Sequence, residues 1–174
     1  RHARRVLAVD VSDGLIQPGK RPDNFEFCFS DGLSVPAPAG LVDLAYSSQV
    51  MEHLHPDDAF EQLGNIYDAL APGGAYLCIT PNRLSGPWDI SRGRDDVASG
   101  LHLKEYTLGD LGRLFRAAGF RRVQVFLSVG GRIVSPRMPV GVIAAVERGL
   151  ERLPPGLRRR LALGLTAVKI IGYK

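Results

Sequence analysis

The stretch LVDLAYSSQVMEHLHPDDAFEQLGNIYDALAPGGAYLCITPN, residues 41–82, decides the fold. Leu41 to Ser47 is a mostly apolar run of strand length. From Pro56 to Leu70 the residues Phe60, Leu63, Tyr67 and Leu70 recur at helical spacing. Asp57 and Asp58 stand at the end where a helix dipole favours negative charge. Ala71-Pro72-Gly73-Gly74 stops that helix, and Ala75 to Thr80 returns to a strand ended by Pro81-Asn82.

The same alternation continues in both directions. Upstream, Arg5 to Val9 is a short apolar run ending in Asp10, and Asn24 to Phe29 is a second strand closed by Asp31-Gly32. Downstream, Arg83 to Gly100 has no period and reads as a long loop, the kind that carries function or moves. Thr107 with Asp110 three residues on predicts a capped helix. Its apolar face is Leu108, Leu111, Phe115 and Ala118, and Gly119 ends it. Arg122 to Ser128 is a fifth strand. After Gly130-Gly131 two amphipathic segments follow, Val140–Leu153 and Leu157–Ile171, split by Pro154-Pro155-Gly156. Ile143, Val146, Leu150 and Leu153 make one helical stripe; Leu157, Leu161, Leu165 and Val168 make another.

Strands alternating with helices predict an α/β fold with a mostly parallel sheet covered on both faces. The 174 residues, 45% apolar and 23% charged, suit one globular domain. Two parts are expected, a core over residues 1–130 and a basic C-terminal helical extension over 131–174. Residues 131–174 hold nine Lys/Arg against Glu147 and Glu151, a charge of +7, which leaves −3 of the net +4 for residues 1–130. That split argues against a nucleic-acid surface over the whole domain and leaves open peripheral membrane contact through the tail. No apolar run is of bilayer-spanning length. Cys28 and Cys78 read as buried, reduced thiols of a cytoplasmic protein, with no metal-binding spacing between them.

Ligands in such sheets bind at the carboxyl ends of the strands. Asp10 is placed there to accept the hydroxyls of a ribose, or to cap its own turn. Asp31, with Gly32 and Leu33, is placed to meet a flat ring with an exocyclic amine, or to make a plain Asp-Gly turn. Ser47 to His55 follows a strand and precedes a helix, bringing Glu52, His53 and His55 to the mouth of the sheet. His53 is a candidate general base or metal ligand, and His102 is the histidine placed to join it. His2 lies at the chain end.

The order strand-Asp10, strand-Asp31-Gly32, LVDLAYSSQVMEHL, APGG and AYLCITPN resembles class I S-adenosylmethionine-dependent methyltransferases of the type 11/23 kind. The segment HLKEYTLGDL, residues 102–111, is similar to one in ubiquinone-biosynthesis O-methyltransferases. The resemblance implies a Rossmann-like doubly wound sheet and S-adenosylmethionine as cofactor. It implies Asp10 with Val11 at the ribose hydroxyls, Asp31, Gly32 and Leu33 around the adenine, and Ser47, Ser48 and Gln49 beside the methionine part. It further implies transfer of a methyl group to a hydroxyl oxygen of a small molecule, with His53, Glu52 and His102 as the catalytic set and Glu52 orienting His53. Some relatives bind a divalent metal through Glu-x-x-Glu-His and a distant His. Gln49, Glu52, His53 and His102 hold those positions here, and the neutral Gln49 departs, so a metal is allowed and not expected.

The family's first strand and its glycine-rich loop precede the position of Asp10. Only nine residues precede it here, and none is Gly. The sheet is therefore expected to lack its first, central strand, leaving a gap between the strands that end at Asp10 and Ser47. The chain as given is expected to bind cofactor poorly. Two other readings stay open: a non-catalytic methyltransferase-like partner subunit, and a nicotinamide-dependent oxidoreductase, which calls for a GxGxxG and a Tyr-Lys set that the sequence does not display. Neither the oligomeric state nor the acceptor is legible.

Overall fold

The computed structural model describes residues 3–14, 19, 21–129, 132–134, 140–162 and 165–174. His2, Gly130 and Gly131 lie outside them. The strands are β1 (Val6–Asp10), β2 (Phe25–Phe29), β3 (Val42–Ser48), β4 (Leu70–Pro81), β5 (Arg122–Val125), β6 (Leu127–Val129), β7 (Arg132–Val134) and β8 (Ala167–Tyr173). The helices are α1 (Pro56–Ala69), α2 (Leu108–Ala117), α3 (Val140–Glu151) and α4 (Pro155–Leu161), with a single 3-10 turn at Met51–His53 between β3 and α1.

The expected parallel strands are there. β1 pairs with β2 in parallel, from Val6 opposite Phe25 to Asp10 opposite Phe29. β3 pairs with β4 in parallel, with a bulge where the chain passes through Pro72-Gly73-Gly74. The main sheet has the order β3-β4-β8-β5, and β6 and β7 form a separate hairpin. Among the described residues no ladder joins β1 to β3. The edges of the two sheets carry exposed apolar side chains, Val6 and Val9 on β1 and Leu44 and Tyr46 on β3.

The C-terminal segment departs from the helical reading. The helix beginning at Pro155 stops at Leu161, and Ala167 to Tyr173 is a strand lying antiparallel between β4 and β5. Its side chains alternate strictly, with Val168, Ile170 and Gly172 buried. Gly172 is needed there: a Cβ would lie 2.6 Å from the rings of both Phe115 and Phe120. The expected fifth strand likewise divides into β5 and β6. On α3 the inward face is Val140, Ile143, Ala144 and Glu147, while Val146 faces out.

Aromatic rings fill the space between the sheet and α2. Tyr76 stacks on Phe115 at 5.4 Å, and Phe115 meets Phe120 at 4.9 Å, with Leu63, Leu70, Leu108 and Leu111 around them. The capping box that starts α2 forms as predicted: Asp110 N–H donates to Thr107 Oγ1 and Thr107 N–H donates to Asp110 Oδ2, each at 3.1 Å. Glu147 of α3 adds a second cap, accepting from the backbone of Leu108 (2.9 Å) and Gly109 (2.8 Å). Burial pushes the Glu147 carboxyl up, and these bonds oppose the shift. Thr107→Ala should destabilise the fold by about 1 kcal/mol, a fall of roughly 2–4 °C in Tm for a chain of this size. Calorimetry checks it, and an unchanged Tm would show that Glu147 alone suffices as the cap.

Candidate active site at the carboxyl ends of β3 and β4

Because β3 and β4 are parallel, the residues that follow them share one edge of the sheet. Ser47, the penultimate residue of β3, has its hydroxyl 2.6 Å from the buried Tyr76 hydroxyl. Ser48 and Gln49 are exposed. Gln49 holds φ at +58°, a left-handed conformation that a side chain resists, and its N–H donates to Ile79 O at 2.9 Å. That turn sends the chain into the 3-10 turn bearing Glu52 and His53.

Glu52 is fully buried. One carboxylate oxygen accepts from Thr80 Oγ1 at 2.8 Å, while the other, Oε1, has no hydrogen-bond partner. His53 is exposed, and its Nδ1 lies 3.1 Å from Leu101 O. The sequence reading had Glu52 orient His53; instead a backbone carbonyl holds the ring and Glu52 turns inward to Thr80. His102 is nearly buried, with its Nδ1 2.8 Å from Glu105 Oε1. A carboxylate and a carbonyl can only accept, so both histidines carry a proton on Nδ1 when neutral and present the Nε2 lone pair. The rings meet edge to face at 5.0 Å.

Glu52, His53 and His102 each place a ligand-capable atom within 4.8 Å of the others. An unsatisfied buried carboxylate oxygen and two imidazoles anchored through Nδ1 are the donor set a divalent cation takes. These three residues would hold it, and a bound cation would supply positive charge at the mouth of the sheet.

The 83–105 segment is cross-linked rather than loose. Asp89 accepts from Ser91 N–H (3.0 Å), Ser91 Oγ (2.5 Å), Gly100 N–H (2.7 Å) and His102 N–H (3.3 Å), which holds its carboxyl well below the usual range. Glu105 also accepts from Trp88 N–H at 2.6 Å, and Arg92 lies 4.3 Å over the Trp88 ring. Arg159 of α4 clasps the segment through Gly86 O, Asp95 O and Asp96. Sequence reading missed Glu105 and Asp89. The spacing of His102 and Glu105 was the available signal, and nothing in the sequence marked Asp89.

The other candidates sit at the ends of β1 and β2. Asp10 Oδ1 accepts from Ser12 N–H at 3.0 Å. The two post-strand loops touch: Ser30 N–H donates to Asp10 O at 3.0 Å, and a Cβ on Gly32 would lie 3.7 Å from Val11. Gly32 holds φ at +91°, which keeps the backbone turn open to glycine. Asp31 serves its own turn, accepting from Leu33 N–H (2.9 Å), Ser34 N–H (2.7 Å) and Ser34 Oγ (2.9 Å). Led by the Ser34 backbone bond, these lower its carboxyl to about 2, so the turn keeps its charge until the pH falls through that value. The α1 helix docks this loop, with Gln62 donating to Gly32 O at 2.6 Å and Asn65 to Leu33 O at 3.1 Å. Among the described residues no hydrogen bond joins Asp10 or Asp31 to the Ser47–Gln49 turn; α1 is what links the two groups.

His55, read at the mouth, and Asn82, read at a strand end, have structural roles. His55 caps α1, accepting from Asp57 N–H at 3.4 Å. Asn82 is fully buried, accepting from Leu84 N–H at 2.9 Å and donating to Glu147. Burial pushes the Cys78 thiol up to about 11, an unreactive setting, and Cys28 is half-buried; both are free.

Comparison with known proteins adds three findings. Residues 1–125 match a family model described as a methyltransferase domain. The chain is 30% identical over 157 residues to a probable S-adenosylmethionine-dependent methyltransferase of Mycolicibacterium smegmatis, an alignment that takes in 87% of this chain and 59% of that protein's length. In fold it is similar to a SAM-dependent methyltransferase from Archaeoglobus fulgidus (TM-score 0.63, 22% identity, 97% of this chain and 75% of that one). It is also similar to one from Mesorhizobium loti (TM-score 0.61, 18% identity, 99% and 81%).

Proposed function

Because the chain belongs to the class I S-adenosylmethionine-dependent methyltransferases, we propose that its open sheet edge binds that cofactor and directs its methyl group to a hydroxyl oxygen of a small molecule. S-adenosylmethionine, when bound, supplies a methyl group on a sulfonium sulfur, which needs no further activation. The chain's own task is to grip the donor, align the acceptor and take one proton.

Asp10 accepts from the ribose hydroxyls, as a carboxylate at a strand's carboxyl end is suited to do. Val11, Gly32 and Leu33 frame the adenine, with Gly32 letting the backbone approach the ring. Ser48 and Gln49, exposed on a strained turn, pass beside the methionine part, and Ser47 anchors that turn on Tyr76. His53 follows within a few residues of that turn and is exposed, which makes its imidazole the candidate base. His53 Nε2 would take the proton of the acceptor hydroxyl, and bound S-adenosylmethionine would supply the methyl group that the oxygen gains. His102, held by Glu105, packs edge to face against the His53 ring.

The observation that carries this reading is the juxtaposition on one strand-end turn of the exposed Ser48–Gln49 segment and an exposed imidazole whose Nδ1 is committed to Leu101 O. A chemical-shift titration with S-adenosylhomocysteine tests the cofactor half and tolerates weak affinity. The amides of Gly32, Leu33, Ser48 and Gln49 should shift together, and Asp10→Ala should weaken binding about tenfold or more. Shifts confined to other surfaces, or an unaltered Asp10→Ala, would refute the assignment.

A further inference from the structure

We propose that the α3–α4 face is a seat for an anionic lipid surface. Helix α3 is apolar on both sides. Its inner side packs Val140, Ile143 and Ala144, yet its outer side exposes Gly141, Val142, Ala145, Val146 and Gly149. Val142 and Val146 are 51% and 57% exposed, one turn apart on the same stripe. An apolar outer stripe on a surface helix lacks the polar residues that solvent calls for. Helix α4 repeats the arrangement with Leu157 and Leu161, 47% and 59% exposed and again one turn apart.

The charges around these pairs are of one sign. Arg148 and Arg152 are exposed on one flank of the α3 stripe, and Arg160 is exposed on α4. The two acids of the segment are engaged elsewhere. Glu147 is buried as the cap of α2, and Glu151 pairs with Arg83. An uncharged apolar stripe flanked by the exposed Arg148, Arg152 and Arg160 is complementary to acyl chains beneath anionic headgroups, the geometry of a helix lying in an interface. No helix among the described residues is long and apolar enough to cross a membrane, so the contact is one of lying on the surface. The seat would be rigidly tied to the site, because Glu147 caps α2 and Arg159 clasps the 83–105 segment.

Co-sedimentation with phosphatidylcholine vesicles, with and without phosphatidylglycerol, tests this at low and high salt. The chain should partition onto the anionic vesicles only, and high salt should release it. Arg148→Gln/Arg152→Gln/Arg160→Gln should weaken partition about 100-fold and each single change about fivefold, so the singles decide if the triple variant fails to fold. Val142→Ser/Val146→Ser should also weaken it. Equal binding to neutral vesicles, no binding, or binding indifferent to these changes would overturn the proposal. So would salt-resistant self-association abolished by Val142→Ser/Val146→Ser, which would make a second copy the occupant.

Discussion

Replacing His53 by Ala should lower turnover by roughly 10²–10⁴, with S-adenosylhomocysteine affinity unchanged, if its imidazole takes the acceptor proton. Transfer of labelled methyl to a small phenol is the assay. The expectation rests on placement: His53 is exposed where an acceptor can reach it, and its Nδ1 is committed to Leu101 O. His102, nearly buried and bound to Glu105, should behave as a positioning residue. His102→Ala and Glu105→Gln should each cost about tenfold in kcat with KM unchanged, well short of the loss in His53→Ala. An unchanged rate in His53→Ala would leave only alignment of donor and acceptor as the source of catalysis. A loss equal in all three variants would instead point to one coupled unit, as expected if His53 and His102 share a cation and Glu105 orients His102.

The central βαβ unit was legible because local signals and tertiary demands agree there. Val42–Ser47 and Ala75–Thr80 lie within β3 and β4, and Leu63 and Tyr67 pack on the core from α1, whereas Phe60 is exposed and Leu70 already belongs to β4. The same holds for Thr107 and Asp110, whose capping box is a purely local device. The site was legible only as far as chain proximity reaches. Glu52 and His53 are neighbours in sequence, and His102 was chosen as a well-placed histidine, but what orients each ring is set by long-range packing. Leu101 O is 48 residues from His53, and the unpartnered Glu52 Oε1 appears only once Thr80 has taken the other oxygen. Asp89 organises the 83–105 segment through bonds to Gly100 and His102 that no periodicity announces. Asp31 shows the opposite case, a strand-end acid whose oxygens its own turn largely occupies, so that its sequence position overstates what it has left to offer a ligand.

The C-terminus misled for a definable reason, and that reason yields the second large effect. Leu157, Leu161, Leu165 and Val168 are spaced as on a helix, but the pattern runs across the end of α4 into β8, where the period becomes two. A continuous helix with those four residues inward would turn Ile170 outward, and Ile170→Ala would then change stability by no more than about 0.5 kcal/mol. In β8 the same side chain is fully buried between β4 and β5, opposite Cys78 and Val125. Ile170→Ala should therefore cost about 2–5 kcal/mol, a large share of the roughly 5–15 kcal/mol typical of a domain. Ile171→Ala, on the opposite face and only half-buried, should cost clearly less. Denaturant unfolding of the two variants, with unchanged m-values, checks the ranking. A near-neutral Ile170→Ala would mean that the antiparallel strand does not form and that α3 and α4 end the fold. A large loss at Ile170 with a small one at Ile171 fixes the period at two, and with it the strand that carries β5 into the sheet bearing the site.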